Sequence, residues 1–438
     1  MRSLLVLFLV LLSVPVSAVN VASMKQRAQI IDNVLQQRFE QVLPHLMKRT
    51  GIDMWVIMSR EYNEDPVLKT MLPSTWLSAR RHTMLVIYHP GDGQPLETLA
   101  VARYAMGDTF EKAWDKDAQP DQWAALAEII KTRDPDRIGI NVSKSFALAD
   151  GMSSTEKAQF MAALPDKLHV RVVSAQELAI AWLETRSELE MTYYPQLAEI
   201  GHQLIAKAFS NAVVTPGETR TDDVVWWLRD QSKAMGLKNW FHPTVSIQRA
   251  GKGQDERDFS QRPEENVIRP GDLLHVDFGI TYLRLNTDQQ QHAYVLRPGE
   301  TEPPAGLVKA LKAGNQLQDI LINNFKQGRS GNEVLRISRQ QAVKAGITPS
   351  IYTHPLGFHG HAAGPTIGMW DAQEGLPVVG DYPLHPNTAY SIELNATSYV
   401  PEWDKKIRIM LEEDAFFDGK QVRYLDGRQQ KFHLISSD

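Results

Sequence analysis

The sequence of 438 residues contains no cysteine. This absence excludes disulfide bonds, cysteine nucleophiles, zinc sites built from thiolates, iron–sulfur clusters and lipoprotein anchoring. Any metal site in the protein must therefore be built from carboxylate and imidazole ligands.

The sequence also lacks an excess of positive charge and, beyond its first residues, a long apolar run. A net charge of -5 argues against nucleic-acid binding, which normally requires a basic surplus. Hydrophobic residues make up 43% and charged residues 23%, which is typical of a globular protein of two or three domains. No stretch after residue 18 reaches the roughly 20 apolar residues of a spanning helix, so we expect no membrane contact once the leader is removed.

The N-terminus carries the pattern of an export signal. Residues 1–18 contain one basic residue, Arg2, then an apolar run from Leu4 to Leu12 and a small-residue ending at Ala18. This pattern predicts a cleaved signal peptide and therefore a secreted or periplasmic protein.

Periodicity predicts an α/β (α+β) protein with two domains, residues 19–175 and 176–438. The first begins with a helical pattern from Met24 to Arg49 and continues with short apolar strands separated by polar or helical segments. Those strand-like runs are residues 53–59, 82–91, 97–104 and 136–143. Near the boundary between the domains, Ser174–Glu177 and Ser187–Glu190 match capping boxes that open helices. Two similar sets of strands flanking helices follow, which favours two related halves around a shared cleft.

Two aspartates on adjoining predicted strands are the first candidate ligands. Asp277 lies among apolar residues in the strand 271–279, and Asp288 follows eleven positions later in the next strand. An unpaired carboxylate is costly to bury among apolar side chains. A bound cation would offset that cost.

Histidines and glutamates farther along the chain complete the candidate set. His354, His359 and His361 fall within one glycine-rich segment, and Glu393 lies in an apolar strand. Neutral imidazole is the commonest nitrogen ligand for a metal.

The last acidic strand, residues 406–417, offers two adjacent candidates. Alternation places Glu412 on the face of Arg408 and Met410, and Glu413 on the opposite face, so either acid could point inward. Two aspartates, one histidine and two glutamates suit two divalent ions, with Mn²⁺ as the first choice and Zn²⁺ or Co²⁺ as alternatives. Two such ions could share a hydroxide nucleophile and polarise a scissile carbonyl.

Four segments resemble, in the same order, the motifs of the metallopeptidase family that includes Xaa-Pro aminopeptidases, prolidases and methionine aminopeptidases. They are HVDFG followed by TD, GHAAG, SIEL and LEED. TPGETRTDDVVWWL also resembles the family's helix entry. The resemblance covers about 176–438 and implies the pita-bread catalytic fold. The preceding unit is similar in pattern to the N-terminal domain of the prolidase and creatinase branch.

The resemblance implies five metal ligands. The terminal ligands would be Asp277, His361 and Glu393, and the bridging ligands would be Asp288 and Glu412. His361 is preferred to His359 because it follows Gly360 and precedes Ala-Ala-Gly, and Glu412 is preferred to Glu413 because a second acid follows it. Glu393 would also accept a proton from the water between the metals.

Two family histidines have no counterpart under this alignment. The segment before Asp277, residues 253–272, contains none, and the position about seven residues after the ligand histidine is Gly368. We therefore assign His354 and His359 as catalytic candidates for proton transfer or oxyanion contacts. Tyr352, Phe358 and Trp370 are candidates for an apolar wall that receives a proline ring.

These observations predict an exported dinuclear aminopeptidase or dipeptidase that hydrolyses the bond before proline through a metal-bridging hydroxide. The expected partner is a peptide with proline at its second position, and the resemblance makes a homodimer the default assembly. The alternatives are a non-peptidase C–N hydrolase of the creatinase type and a catalytically impaired metal- or peptide-binding protein on the same fold.

Overall fold

The computed structural model describes residues 21–91, 93–251 and 266–437. The predicted signal peptide, residues 1–18, lies outside this range. Among the described residues, no helix combines the length and the apolar character needed to cross a membrane.

Eleven α-helices and nineteen strands are described in these ranges. The helices are α1 (Met24–Gln37), α2 (Leu43–Thr50), α3 (Pro66–Met71), α4 (Gln122–Arg133), α5 (Ser154–Ala163), α6 (Asp166–His169), α7 (Gln176–Glu184), α8 (Glu188–Ala208), α9 (Thr221–Ala234), α10 (Ala305–Ile322) and α11 (Gly331–Lys344). The strands of the first half are β1 (Met54–Arg60), β2 (His82–Tyr88), β3 (Glu97–Val101), β4 (Glu111–Lys112), β5 (Ile138–Ile140) and β6 (Val172–Ser174). The later strands are β7 (Thr244–Gln248), β8 (Leu273–Phe278), β9 (Thr281–Tyr282), β10 (Leu285–Asn286), β11 (Gln289–Val295), β12 (Thr348–Ile351), β13 (His354–Leu356), β14 (Thr388–Ser391), β15 (Leu394–Val400), β16 (Lys405–Leu411), β17 (Asp414–Phe417), β18 (Val422–Tyr424) and β19 (His433–Ile435).

The N-terminal region is built on a six-stranded mixed sheet in the order β4-β3-β2-β1-β5-β6. Strand β1 is antiparallel to β2 and parallel to β5. Its side chains are buried on both faces, with Trp55 and Ile57 in one apolar core and Val56 and Met58 in the other. Burial on both faces explains why this strand is a continuous apolar run in the sequence.

The predicted helix from Met24 to Arg49 is present as α1 and α2, joined through a π-helical segment, Arg38–Val42. The capping box at Ser187 is confirmed, since its hydroxyl accepts from the Glu190 N–H (3.2 Å) and the Glu190 carboxylate accepts from the Ser187 N–H (2.7 Å). The box predicted at Ser174 is wrong, because α7 is capped by Ala175 without a side-chain hydrogen bond. The Ser174 hydroxyl donates to the carbonyl of Val142 and accepts from the Gln176 N–H (3.1 Å) rather than from the Glu177 N–H that a capping box requires.

Helix α7 packs in the core of the first sheet, although the sequence places it in the second domain. Its apolar residues, including Leu178 and Leu183, are buried with the side chains of α2 and β1. The change of core therefore falls after Glu184 in the structure.

The C-terminal region contains two helix pairs, each behind its own sheet. Helices α8 and α9 cover the sheet β19-β11-β8-β7, and their side chains share one apolar core. Helices α10 and α11 pack on the sheet β12-β15-β16 in a second core. A bridge between Gln290 of β11 and Glu412, just after β16, joins the two halves. The site lies at this junction.

Candidate metal centre

The two aspartates lie beside each other because β8 and β11 are antiparallel neighbours. Asp277 is opposite Gln290 in the register, and Asp288 directly precedes β11. Asp288 is 4% exposed, and Val276 and Phe278 are fully buried on either side of Asp277. The Asp277 Oδ1 atom is buried without a hydrogen-bond partner. A buried carboxylate oxygen in this state is suited to a cation.

The two glutamates come from the second half of the domain. Glu393 directly precedes β15 and Glu412 directly follows β16, which pair in register at Leu394 and Leu411. The backbone N–H of Gln290 donates to the Glu412 carbonyl (3.0 Å), and the Glu412 N–H donates to the Gln290 carbonyl (3.2 Å). These two hydrogen bonds hold the glutamates of one half of the domain close to the aspartates of the other half.

Ligand atoms of these residues converge in overlapping groups. Those of Asp277, Asp288 and Glu412 lie within 4.8 Å of one another, and so do those of His354, Glu393 and Glu412. The four predicted carboxylate ligands are therefore brought together, and a third such group, Asp288, His354 and His361, contains the predicted histidine ligand. Glu412 belongs to the first two groups, which is the position expected of a residue between two ions.

His354 is the histidine at the centre of the cluster. It is 2% exposed on β13, and its Nε2 lies 3.7 Å from Asp288 Oδ2 and 3.6 Å from Glu412 Oε1. Its Nδ1 lies 3.0 Å from the Pro355 carbonyl and can donate to it, while Nε2 has no hydrogen-bond partner. This tautomer leaves the Nε2 lone pair directed at the carboxylates, the state in which histidine binds a metal.

His361 lies at the edge of the same cluster. A nitrogen of His361 falls within 4.8 Å of ligand atoms of Asp288 and His354, and its ring meets that of His354 edge-on at 4.7 Å. The His361 side chain is exposed, in contrast to that of His354. The structure therefore places His361 beside the cluster, where it can reach a bound substrate.

His359 does not join the cluster among the described residues. Its ring packs against Phe358, and burial together with the charges of Arg186 and Lys69 lowers the pKa of His359 to about 4. His359 lies outside the cluster, and its catalytic role stays a prediction from the sequence.

Glu413 points away from the cluster, as alternation requires. Its carboxylate accepts from His202 Nε2 (2.6 Å), and the other ring nitrogen of His202 bonds Asp426 (2.8 Å). Burial alone would lower the pKa of His202, but the hydrogen bonds to Asp426 and Glu413 raise it to about 10. Of the two adjacent acids, Glu412 is therefore the one in the cluster, and Glu413 is paired behind the sheet.

The electrostatics of the cluster favour a bound cation. Burial, followed by the charge of Glu412, raises the pKa of Asp277, Asp288 and Glu393 well above the ordinary carboxylate range. Divalent cations bound among these groups would restore their ionised forms. The orphaned Asp277 Oδ1 and His354 Nε2 atoms show that the residues present fit such ions.

The sequence model of metallopeptidase family M24 matches residues 195–417, about half of the chain, and this range includes every residue of the cluster. The chain belongs to metallopeptidase family M24. The resemblance found in the motifs is thereby confirmed. No curated protein matches the chain in sequence.

Similar solved structures cover nearly the whole chain. An X-Pro aminopeptidase from Thermotoga maritima MSB8 superposes with a TM-score of 0.63 at 16% identity, over 90% of this chain and 99% of that chain. A Xaa-Pro dipeptidase from Bacillus anthracis gives 0.56 at 15% identity, over 94% and 100%. A prolidase from Pyrococcus horikoshii OT3 gives 0.55 at 14% identity, over 92% and 99%. At these identities the similarity shows the fold alone, and it confirms an α/β N-terminal domain preceding the M24 domain.

The predicted aromatic wall is divided in this M24 structure. Tyr352 lies at the cluster, with its ring 5.3 Å from that of His354. Phe358 lines a separate crevice with Trp182 and Arg186, and Trp370, 63% exposed, lines a different cavity. The three residues therefore do not form one surface.

Trp240 is an aromatic neighbour of the cluster that no sequence motif indicated. Its ring meets His361 edge-on at 5.2 Å, and its Nε1 donates to the Thr287 carbonyl (2.8 Å). A Cβ at residue 360 would come within 2.3 Å of this ring, so glycine is required there. Gly357 leaves room for the Arg186 guanidinium, because a Cβ at residue 357 would lie 2.9 Å from it. These contacts fix the path of the histidine segment.

Gln290 is the second residue that sequence reasoning missed. Its amide donates to Glu393 Oε1 (3.0 Å) and Glu412 Oε2 (2.6 Å), and its Oε1 lies 2.8 Å from His275 Nε2. Its position two residues after Asp288, on the same face of β11, is the only sequence signal that could have indicated it. Gln290 holds both glutamates in place from the opposite half of the domain.

Replacing Gln290 by leucine should weaken metal binding. The amide orients two ligands, and losing such an outer contact typically costs about 10- to 100-fold in metal affinity. Calorimetric titration of Mn²⁺ into the metal-free protein measures this. Gln289→Leu is the matched control, because the Gln289 amide donates to the Ala198 carbonyl (3.0 Å) instead. Unchanged affinity in Gln290→Leu would contradict the assignment.

Replacing His202 by glutamine should destabilise the protein in a pH-dependent way. The raised pKa of His202, about 10 against roughly 6.5 in the unfolded chain, means that its stabilising charge is fully present below pH 6.5. That stabilisation is lost as pH rises through 10. The difference in urea denaturation midpoint between wild type and His202→Gln should therefore shrink from pH 7 to pH 10. A difference that stays constant over this range would show that His202 does not stabilise through its charge.

Proposed function

We propose that this M24 member is an exported dinuclear metallo-aminopeptidase or dipeptidase that hydrolyses the bond before a proline residue. The observation that carries the proposal is the convergence of four carboxylates and His354 in two groups that share Glu412. Export rests on the leader pattern of residues 1–18. The similar solved structures described as X-Pro aminopeptidase, Xaa-Pro dipeptidase and prolidase support the substrate class.

We assign the histidine ligand to His354 in place of His361. His354 is buried between the two sets of carboxylates, whereas His361 is exposed at their edge. The sequence supports this register, because His354-Pro-Leu-Gly357 also has the His-x-x-Gly pattern, and His361 then stands seven residues after the ligand. In this register His361 occupies the position about seven residues after the ligand, where the family usually has a histidine.

Oxygen-rich donor sets of this kind suit Mn²⁺, with Zn²⁺ or Co²⁺ as alternatives. When bound, a pair of such ions lowers the pKa of water and polarises a carbonyl. Asp277 and Asp288 would hold them from one half of the domain, and His354, Glu393 and Glu412 from the other. The donor set present in the chain is therefore complete for two ions.

The remaining groups act on the substrate. Glu393 is placed to accept the proton of the attacking water, since its carboxylate lies in the cluster and is held by Gln290. His361 lies exposed beside the cluster and is placed to donate an N–H hydrogen bond to the developing oxyanion. Tyr352 and Trp240 flank His361 and offer flat apolar contact to a proline ring.

Substitution of the two histidines separates their roles. His354→Ala should lose more than about 100-fold in Mn²⁺ affinity, exceeding the usual cost of losing an outer contact. His361→Ala should keep its metal and lose roughly 100-fold in kcat/KM, as expected for removal of a group that acts in the transition state. Metal titration and an assay with Ala-Pro-Ala amide measure these effects. The exposed His45 provides the control variant His45→Ala.

The opposite result, with metal lost in His361→Ala and kept in His354→Ala, would return the ligand role to His361. A metal-loaded wild-type protein that cleaves none of a panel of Xaa-Pro dipeptides and tripeptides would contradict the peptidase proposal.

A further inference from the structure

The N-terminal domain carries a small cavity of its own, about 90 Å³ in volume, beside the start of β2 and the end of β3. Its aromatic walls are the rings of Trp76, Tyr104 and Trp114. The volume exceeds the space that one water molecule needs and is too small for a peptide chain. The cavity therefore suits a small ligand.

The charged side chains of this cavity are all basic. They are Arg80, Arg81, His82 and Arg103, and no acid of the described residues lines the cavity. A recess lined by one sign of charge raises the local concentration of ions of the opposite sign. The lining therefore favours an anion.

Arg80 and Arg103 are the two cations of this set that no carboxylate neutralises. Arg81 Nη1 lies 3.4 Å from a Glu61 oxygen, and His82 Nε2 lies 3.4 Å from a Glu156 oxygen. Within residues 21–91, 93–251 and 266–437, neither Arg80 nor Arg103 has a carboxylate at ion-pair distance. Both side chains are exposed, so a ligand can reach them. Two positive charges are thus left over, which matches the charge of a dianion.

Aromatic rings rather than an acid hold Arg80 in place. Its guanidinium carbon lies 4.4 Å from the ring centroid of Trp76 and 5.8 Å from that of Tyr104. Contact with a ring face restricts the side chain without using its N–H donors. These donors remain available in the forked geometry that matches the oxygens of a phosphate.

The backbone at Arg81 allows consecutive residues to line the same cavity. Successive side chains of an extended strand point to opposite faces, yet residues 80, 81 and 82 all line this one. Arg81 has a φ of 55°, a left-handed conformation that residues with a side chain rarely adopt. Glu61 fixes it, because its carboxylate accepts from the Arg81 N–H (3.2 Å) and its N–H donates to the Arg81 carbonyl (2.6 Å). Backbone strain of this kind concentrates at ligand sites.

We propose that this cavity binds a tetrahedral oxyanion of the phosphate class between Arg80 and Arg103. Two guanidinium groups from separate segments supply forked donors, and their combined charge balances a phosphate dianion. A carboxylate would carry one charge and leave one arginine without compensation. The phosphate is either the free ion or the phosphomonoester group of a larger molecule. None of these residues belongs to the metal cluster, so the inference is independent of the proposed peptidase function.

Calorimetric titration of inorganic phosphate into the intact, Mn²⁺-loaded protein tests the site. The titration is made at fixed ionic strength and about pH 8, where phosphate is a dianion. We expect a Kd of about 1 mM or lower, and binding at least about 10-fold weaker in Arg80→Gln/Arg103→Gln, because two charge-assisted contacts are lost. Arg336→Gln, at an exposed arginine outside the cavity, should bind phosphate as the wild type does. Phosphate held by the metal ions would persist in the double variant and is thereby told apart.

Phenyl phosphate and acetate separate the sources of the anion. An ester that binds more tightly than inorganic phosphate would assign the site to a phosphorylated molecule, and equal or weaker binding would assign it to the free ion. Acetate that binds as tightly as phosphate would contradict the oxyanion class. A wild-type Kd for phosphate above about 1 mM, or a loss of less than about 10-fold in the double variant, would overturn the proposal.

Discussion

The mutual repulsion of four converging carboxylates is the constraint on which this structure depends. Asp288 and Glu412 are buried, Asp277 and Glu393 are half-buried, and desolvation raises the pKa of Asp277, Asp288 and Glu393. Hydrogen bonds offset only part of this electrostatic repulsion. The Gln290 amide donates to Glu412, and so does the Ser391 hydroxyl (2.6 Å). The unpartnered Asp277 Oδ1 and His354 Nε2 mark where cations would complete the balance. Since the ligands come from both halves of the domain, bound metal would also tie the halves together.

The surrounding fold holds the histidine segment against this cluster. Arg186 donates to Glu190 (2.8 Å) and packs against Gly357, three residues past His354. Arg38, from the N-terminal domain, donates to the other oxygen of Glu190 (2.6 Å). The N-terminal domain is thus linked to the position of His354 through one carboxylate. Behind the sheet, His202 neutralises Glu413, so that only Glu412 of the adjacent pair contributes charge to the cluster.

Sequence reasoning predicted the fold class, the M24 resemblance and all four carboxylates, because strand alternation and apolar neighbours constrain an acidic residue strongly. It chose His361 as the histidine ligand, since two His-x-x-Gly patterns occur within residues 354–364. The burial of His354, which only packing shows, supports the proposal that His354 is the ligand instead. The sequence did not indicate Gln290 or Trp240, because neither residue belongs to a recognisable motif. Gln290 reaches the glutamates through strand pairing, and Trp240 contacts the histidine segment from a part of the chain distant in sequence. The capping box predicted at Ser174 is absent because α7 begins one residue later than that box requires, so the Ser174 hydroxyl accepts from the Gln176 N–H instead of the Glu177 N–H.

The central claim is that two divalent ions sit between the carboxylate groups with His354 as the nitrogen ligand. Anomalous diffraction at the manganese edge from Mn²⁺-loaded crystals tests it most directly. The account predicts two peaks about 3.5 to 4 Å apart, both in contact with Glu412 and one in contact with His354 Nε2. A single peak, or a peak bound by His361 with His354 outside its coordination sphere, would contradict it.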